Sequence, residues 1–136
     1  MKQQLPKRLS AMIHITNLRL RTYIGFNEEE KQKQQDIVIN AEIHYPASTA
    51  CLEDQVDEAL NYKTITKEII RHVESGRFLL LEKLVADVLQ LCCANASVSF
   101  AKVRIDKPHA LRFADSVSLT MEYHPKSNEL ALAEAS

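Results

Sequence analysis

Tryptophan is absent from this chain, which carries only 2 glycines and 3 cysteines among 136 residues. The two glycines, Gly25 and Gly76, stand far apart, so neither a GxGxxG turn nor a Walker-type phosphate loop can be built. No serine has a GxSxG setting, which excludes a hydrolase nucleophile elbow. Cys51 and the adjacent Cys92-Cys93 pair form an odd set without CxxC spacing. That argues against a disulfide framework and a zinc site, and for a reducing cytoplasm. His14, His44, His72, His109 and His124 are scattered and no HExxH occurs, so no metal and no cofactor is expected. Basic and acidic residues nearly cancel, at 17 and 18, with no basic block and few aromatics. A phosphate-tracking groove and a base-stacking platform are both excluded on that count, and nucleic acid is not an expected partner. No apolar run approaches the ~20 residues of a membrane span, so no membrane partner is expected. Met1 to Ala11 includes Lys2, Lys7 and Arg8 without an apolar segment, and reads as a tail and not a signal.

What is present is an ordinary globular balance, 46% hydrophobic and 26% charged, which predicts one domain over residues 12–124 between tails at 1–11 and 125–136. Met12 to Ile24 alternates like a strand but changes parity: Ile13 and Ile15 are odd, whereas Leu18, Leu20 and Ile24 are even. A bulge near Thr16-Asn17 reconciles them. Gly25 breaks the strand, and Asn27 to Gln34 reads as a solvated polar loop. Gln35 then opens a second strand, in which Ile37, Ile39, Ala41, Ile43 and Tyr45 alternate with Val38, Asn40, Glu42 and His44 until Pro46. Ala47 to Leu60 is an acidic connection. Ile65, Ile69, Ile70 and Val73 predict a helix over 62–75, with Asn61 as cap and Gly76 as a left-handed stop. A second helix over 80–95 carries Leu81, Leu84, Val85, Val88, Leu91 and Cys92 on one face, which makes the cysteine pair a packing feature. Val98 to Lys107 is a third strand, with another parity change between Phe100 and Val103. Val117, Leu119, Met121 and Tyr123 mark a fourth. The expectation is an α+β domain of order ββααββ, a four-stranded antiparallel sheet with both helices on one face. Its two unblunted edges predict a homo-oligomer.

Chemistry concentrates at a few positions. Lys107 ends the third strand and Pro108 fixes its backbone, so its ammonium is either a positioned proton carrier or a solvated strand-end lysine. Glu82 follows the apolar run Phe78 to Leu81 at a helix start. There it is either an ordinary first-turn acid or a carboxylate suited to two adjacent N–H donors. Tyr62 opens the preceding helix, where a phenol can pack or turn its hydroxyl into a cleft. Glu30 and Gln35 bracket the polar loop and alone make no claim.

Together, Ile24-Gly25, Glu30, Gln35, Asn61-Tyr62, Leu80-Leu81-Glu82 and Ile105-Asp106-Lys107-Pro108 resemble the dihydroneopterin aldolase family, in order, across Ile13 to Tyr123. Leu18 to Thr22, Gln35 to Asn40, Ile43 to Pro46, Ala59 to Tyr62, His109 to Arg112 and Ala114 to Val117 are similar to its epimerase branch. The resemblance implies the tunnelling fold (T-fold), with sheets from four subunits closing a barrel, two rings stacking into an octamer and active sites between subunits. It implies epimerisation at C2' of 7,8-dihydroneopterin 3'-triphosphate by retro-aldol and aldol steps, in supply of a monapterin-type cofactor precursor, with neither metal nor Schiff base. By position, Lys107, Tyr62 and Glu30 become catalytic. Glu82, Leu81, Asn61 and Gln35 bind substrate, with His109 and Arg112 as candidates for the triphosphate. Two rivals stand beside this: an aldolase that releases 6-hydroxymethyl-7,8-dihydropterin and glycolaldehyde for folate synthesis, and a non-catalytic oligomeric assembly domain.

Overall fold

The structure, a computed structural model, describes residues 9–125. In chain order it comprises β1 (Leu9–Ile24), α1 (Glu28–Gln32), β2 (Gln35–Ala47), α2 (Thr49–Leu52), a 3-10 turn (Val56–Glu58), α3 (Tyr62–Glu74), β3 (Arg77–Phe78), α4 (Leu81–Cys92), β4 (Phe100–Pro108) and β5 (Ser116–Tyr123). The sheet order is β3-β1-β2-β4-β5. Four strands pair antiparallel as expected. The fifth corrects the expectation: β3 lies parallel to the end of β1, with Tyr23 beside Arg77 and Ile24 beside Phe78. Two residues are too few to display an alternating pattern, and the strand exists because the link between the long helices is caught against β1. The Gly25 amide donates to the Phe78 carbonyl at 2.9 Å, and the Phe78 ring is buried.

The element order differs from ββααββ in a second place. The stretch expected as a solvated loop contains α1. Asn27 caps it by accepting from the Glu30 amide at 2.8 Å, and Glu28, Glu29 and Glu30 complement the positive end of the helix. β1 begins at Leu9, three residues before the expected onset. Residues 1–8 and 126–136, which hold most of the expected tails, lie outside the described residues.

The parity change in β1 is a bulge. Pairing with β2 shifts register between Ile15 and Leu18, and Asn17 takes φ 54, a left-handed conformation that asparagine tolerates better than most side chains. The Asn17 amide donates to Asn40 Oδ1 at 2.9 Å. The second expected parity change does not occur, because β4 pairs with β2 without interruption from Phe100 to Asp106. Ala101, Val103 and Ile105 form the buried set, while Phe100 faces the opposite way. There it packs on the rings of His44 and His124 at centroid distances of 4.6 and 4.8 Å. An outward phenylalanine covered by imidazoles mimics a core residue in the sequence.

Both long helices cover one face of the sheet. Ile37, Ile39, Ile43, Val103 and Ile105 pack there beneath Ile69 and Val73 of α3 and Leu84, Val85, Val88 and Cys92 of α4. Burial pushes the Cys92 thiol up to about 12 and the Cys93 thiol to about 11, so both behave as packing groups. Asn61 caps α3 as expected, accepting from the Thr64 amide at 3.1 Å. Gly76, however, has no left-handed φ; Gly25 is the only glycine that does. A side chain at Gly76 would meet the Phe78 ring at 2.6 Å, so its smallness serves a close approach.

Thr22 is the one fully buried polar residue among those described. Its hydroxyl donates to the Val73 carbonyl at 2.6 Å, tying the end of β1 to the last turn of α3. Thr22→Val preserves shape but removes that donor, leaving the Val73 carbonyl to backbone amides such as that of Gly76 at 3.3 Å. It is expected to lower unfolding free energy by about 0.5–1.5 kcal/mol, read by urea unfolding followed by circular dichroism; unchanged stability counts against the tie.

Candidate active site

Four chain segments meet at one end of the sheet. The β1 end supplies Ile24, Gly25 and Phe26, α1 supplies Glu30, the link into α4 supplies Leu79 to Glu82, and β4 with its following loop supplies Lys107, Ala110 and Leu111. They enclose a cavity of about 420 Å³ floored by Val117 and Leu119. The parallel pairing of β3 with β1 draws the start of α4 to this place. Leu80 takes the N-cap position without a capping side chain, so the first-turn amides of α4 stand beside the Glu82 carboxylate with no side chain claiming them.

In the cavity that Glu82 also lines, Lys107 Nζ contacts Glu30 Oε2 at 2.8 Å. Their side chains are 13% and 23% exposed, so solvent screens this pair less than it would a surface ion pair. The Gln35 amide nitrogen donates to the same Glu30 oxygen at 3.1 Å and to the Ile24 carbonyl. Gln35 therefore fixes the carboxylate against the end of β1. Gly25 is required in the same arrangement. Its φ is 132, and a Cβ there would overlap the Glu30 carboxyl group, so any other residue both strains the backbone and displaces the acid. The Lys107 hydrogen bond, opposed by desolvation and aided by Gln35, holds the Glu30 carboxyl below the usual carboxylate range. The lysine thus faces an ionised partner at neutral pH.

Of the positions singled out in the sequence, Lys107, Glu30, Glu82 and Leu81 share this cavity, and Gln35 braces it from behind. The others lie elsewhere. Tyr62 and Asn61 open α3, whose last turn is the one tied to β1. A rise of 1.5 Å per residue puts that start about 18 Å away along the helix, and the Tyr62 side chain is half exposed. His109 lines two neighbouring cavities, one of which it shares with Glu30. Arg112 lies on the exposed β4–β5 loop with its guanidinium 5.2 Å from the Phe113 ring centre. Phe26, Ala110 and Leu111 were not anticipated as lining residues. The signal for Phe26 and Leu111 was an apolar side chain in a loop, and both are largely exposed. Among the described residues, no three His, Cys, Asp or Glu side chains are grouped to hold a metal ion, and no helix is long and apolar enough to cross a membrane.

The FolB family model, described as dihydroneopterin aldolase, matches residues 13–122. This chain belongs to that family. Within it, the chain is 56% identical over 114 residues to the dihydroneopterin triphosphate 2'-epimerase of Escherichia coli (strain K12), covering 84% of this chain and 95% of that relative. It is 53% identical to the protein of the same name in Pseudomonas aeruginosa, over 84% of this chain and 93% of the other. A solved structure of E. coli dihydroneopterin aldolase in complex with neopterin superposes with a TM-score of 0.77 at 27% identity, covering 83% of this chain and 98% of that one. The fold is therefore the family's α+β fold.

Because the folded-state pKa of Glu30 is depressed, the ion pair's contribution to stability is present above the ordinary glutamate value of about 4.3 and is lost as the pH falls through the lower folded value. Lys107→Met should reduce the melting temperature at neutral pH, with the gap to wild type closing as the pH drops below about 4.3. Thermal scans across a pH series test this, and a constant gap rules out the pairing as its cause.

Proposed function

We propose that the protein epimerises 7,8-dihydroneopterin 3'-triphosphate at C2', giving 7,8-dihydromonapterin 3'-triphosphate. The observation that carries this is the Lys107–Glu30 pair sharing one cavity with Glu82, in a chain 53% and 56% identical to two proteins of that activity's name.

The chemistry follows from charge and position. Glu82 accepts hydrogen bonds from the amino group and ring N–H of the pterin, a planar donor pair that suits a carboxylate, while Leu81, Leu79 and Phe26 shield the ring from water. The dihydropterin imine at N5 is an electron acceptor, so the substrate is its own sink. Loss of the C2' hydroxyl proton lets the C1'–C2' pair of electrons move into the C1'–C6 bond while N5 gains a proton, leaving an enamine and an aldehyde. Lys107 handles these protons, directly or through water, with Glu30 as its fixed counter-charge. Rotation of the aldehyde and re-addition on its other face restores the bond with C2' inverted. Release of the aldehyde instead gives the aldolase outcome, so the same groups serve both reactions and retention decides between them.

Tyr62 and Asn61 enter the site from a neighbouring subunit. Their position at the far end of α3 supports this reading, as do the open edges of β1 and β5. The assembly is then the family's T-fold barrel, two tetrameric rings stacked into an octamer working in the cytoplasm, with each site shared between subunits.

Incubation with triphosphorylated and unphosphorylated dihydroneopterin, followed by separation of diastereomers from cleaved product, tests the reading. The expected main product from the triphosphate is the C2' epimer; predominant cleavage points instead to an aldolase. Lys107→Ala should lower turnover by about 10²-fold or more with the assembly intact, and wild-type turnover in that variant would support a non-catalytic assembly domain. Glu82→Ala should weaken neopterin binding by about 1.5–3 kcal/mol, measured by calorimetry; unaltered affinity removes Glu82 as the ring anchor.

A further inference from the structure

The cavity facing Glu82 does not end at the Lys107–Glu30 pair. Glu30 and Ala110 also line a second cavity of about 340 Å³, whose other walls include Lys33, Gln34, Gln35 and His109. His109 in turn lines a third space of about 450 Å³ beside Arg19 and Arg21. The three spaces are thus neighbours, the first two sharing Glu30 and Ala110 and the last two sharing His109. Arg21 is engaged with the Gln34 carbonyl and Asp36. No hydrogen bond or ion pair engages Lys33, Arg19 or the His109 ring among the described residues, so these donors stand without an internal partner. His109 is also held at φ 66 directly after Pro108. A non-glycine residue kept in this sparsely populated conformation is backbone strain of the kind that gathers at ligand sites. Glu29, Glu30, Asp36 and Glu74 add opposing charge at these walls, so recognition has to rest on local donors and not on net charge.

We propose that the last two of these spaces bind the substrate's triphosphate, with Lys33 and His109 as the main donors, and that this grip is what retains the aldehyde between bond cleavage and re-formation. The inference rests on the epimerase reading. With the ring at Glu82 and C2' at Lys107, the C3' oxygen leads past Glu30 into the second cavity. Once C1'–C2' opens, the fragment that departs carries the C2' carbonyl and the triphosphate, while the enamine stays with Glu82. Both halves are then held by separate anchors, and the carbonyl turns between them without escaping. No other reactant is needed: the electron pair returns from the enamine to the same carbon, and the N5 proton goes back to the alkoxide. Arg112, expected from its adjacency to His109, has no part in this, because its guanidinium lies by Phe113 on the exposed loop.

The test compares wild type with Lys33→Ala, His109→Gly and the double variant. Glycine accepts the positive φ at 109, so loss of the imidazole is separated from backbone strain. Two quantities are read: the ratio of cleaved 6-hydroxymethyl-7,8-dihydropterin to epimer formed from the triphosphate, and the affinity for inorganic tripolyphosphate by calorimetry. The double variant is expected to shift the ratio toward cleavage by about tenfold or more, and to weaken tripolyphosphate binding by at least about tenfold. Tripolyphosphate affinity within about twofold of wild type, or an unshifted ratio, overturns the proposal. The two readings fail separately. If wild type makes neither product yet binds tripolyphosphate through Lys33 and His109, the subsite stands and the epimerase assignment falls.

Discussion

An ammonium at the end of β4 and a carboxylate on a one-turn helix, 77 residues apart in the chain, meet at 2.8 Å, and the surrounding structure is arranged to let them. Gly25 leaves the space that the carboxyl group fills. Gln35 binds that group to the backbone of β1, and Asn27 starts the helix that carries it. None of these contacts would help stability much if it were solvated. Set in a cavity, they keep a lysine at a defined point with its charge answered, beside the Glu82 carboxylate that lines the same space.

The cavity holds only part of the set of residues expected from the sequence. α3 is tied to β1 at its last turn through Thr22, while Tyr62 and Asn61 stand at its start and are absent from the cavity lining. Phe26, Leu79, Leu80 and Leu111 line the cavity and are exposed, and clustered exposed apolar groups are a mark of interaction or ligand sites.

Much of the scaffold was legible from the sequence because its signals are periodic. The four long strands, the two long helices, the Asn61 cap and the β1 bulge all follow from spacing. What failed to register depends on contacts between distant residues. β3 is two residues long and exists only because Gly25 binds Phe78. α1 is a single turn whose identity lies in its cap and acidic first turn, features that also describe a polar loop. Gly76 is small because of a ring two residues later, and Phe100 looked like core because its cover consists of histidines. At the site, Lys107 and Glu82 stood out by position on their elements. The pairing of Lys107 with Glu30, and the role of Gln35 in fixing it, could not be read locally: nothing near residue 30 indicates a partner at 107.

The bulge at Asn17 has a consequence for how β1 tolerates change in length. The strand is written in two frames, odd before the bulge and even after it, and both point their apolar side chains to the same face only because one extra residue sits between them. Removing that residue would rotate half of a 16-residue strand inside out. Lengthening or shortening of this strand is therefore quantised, permitted in steps of two and forbidden in steps of one.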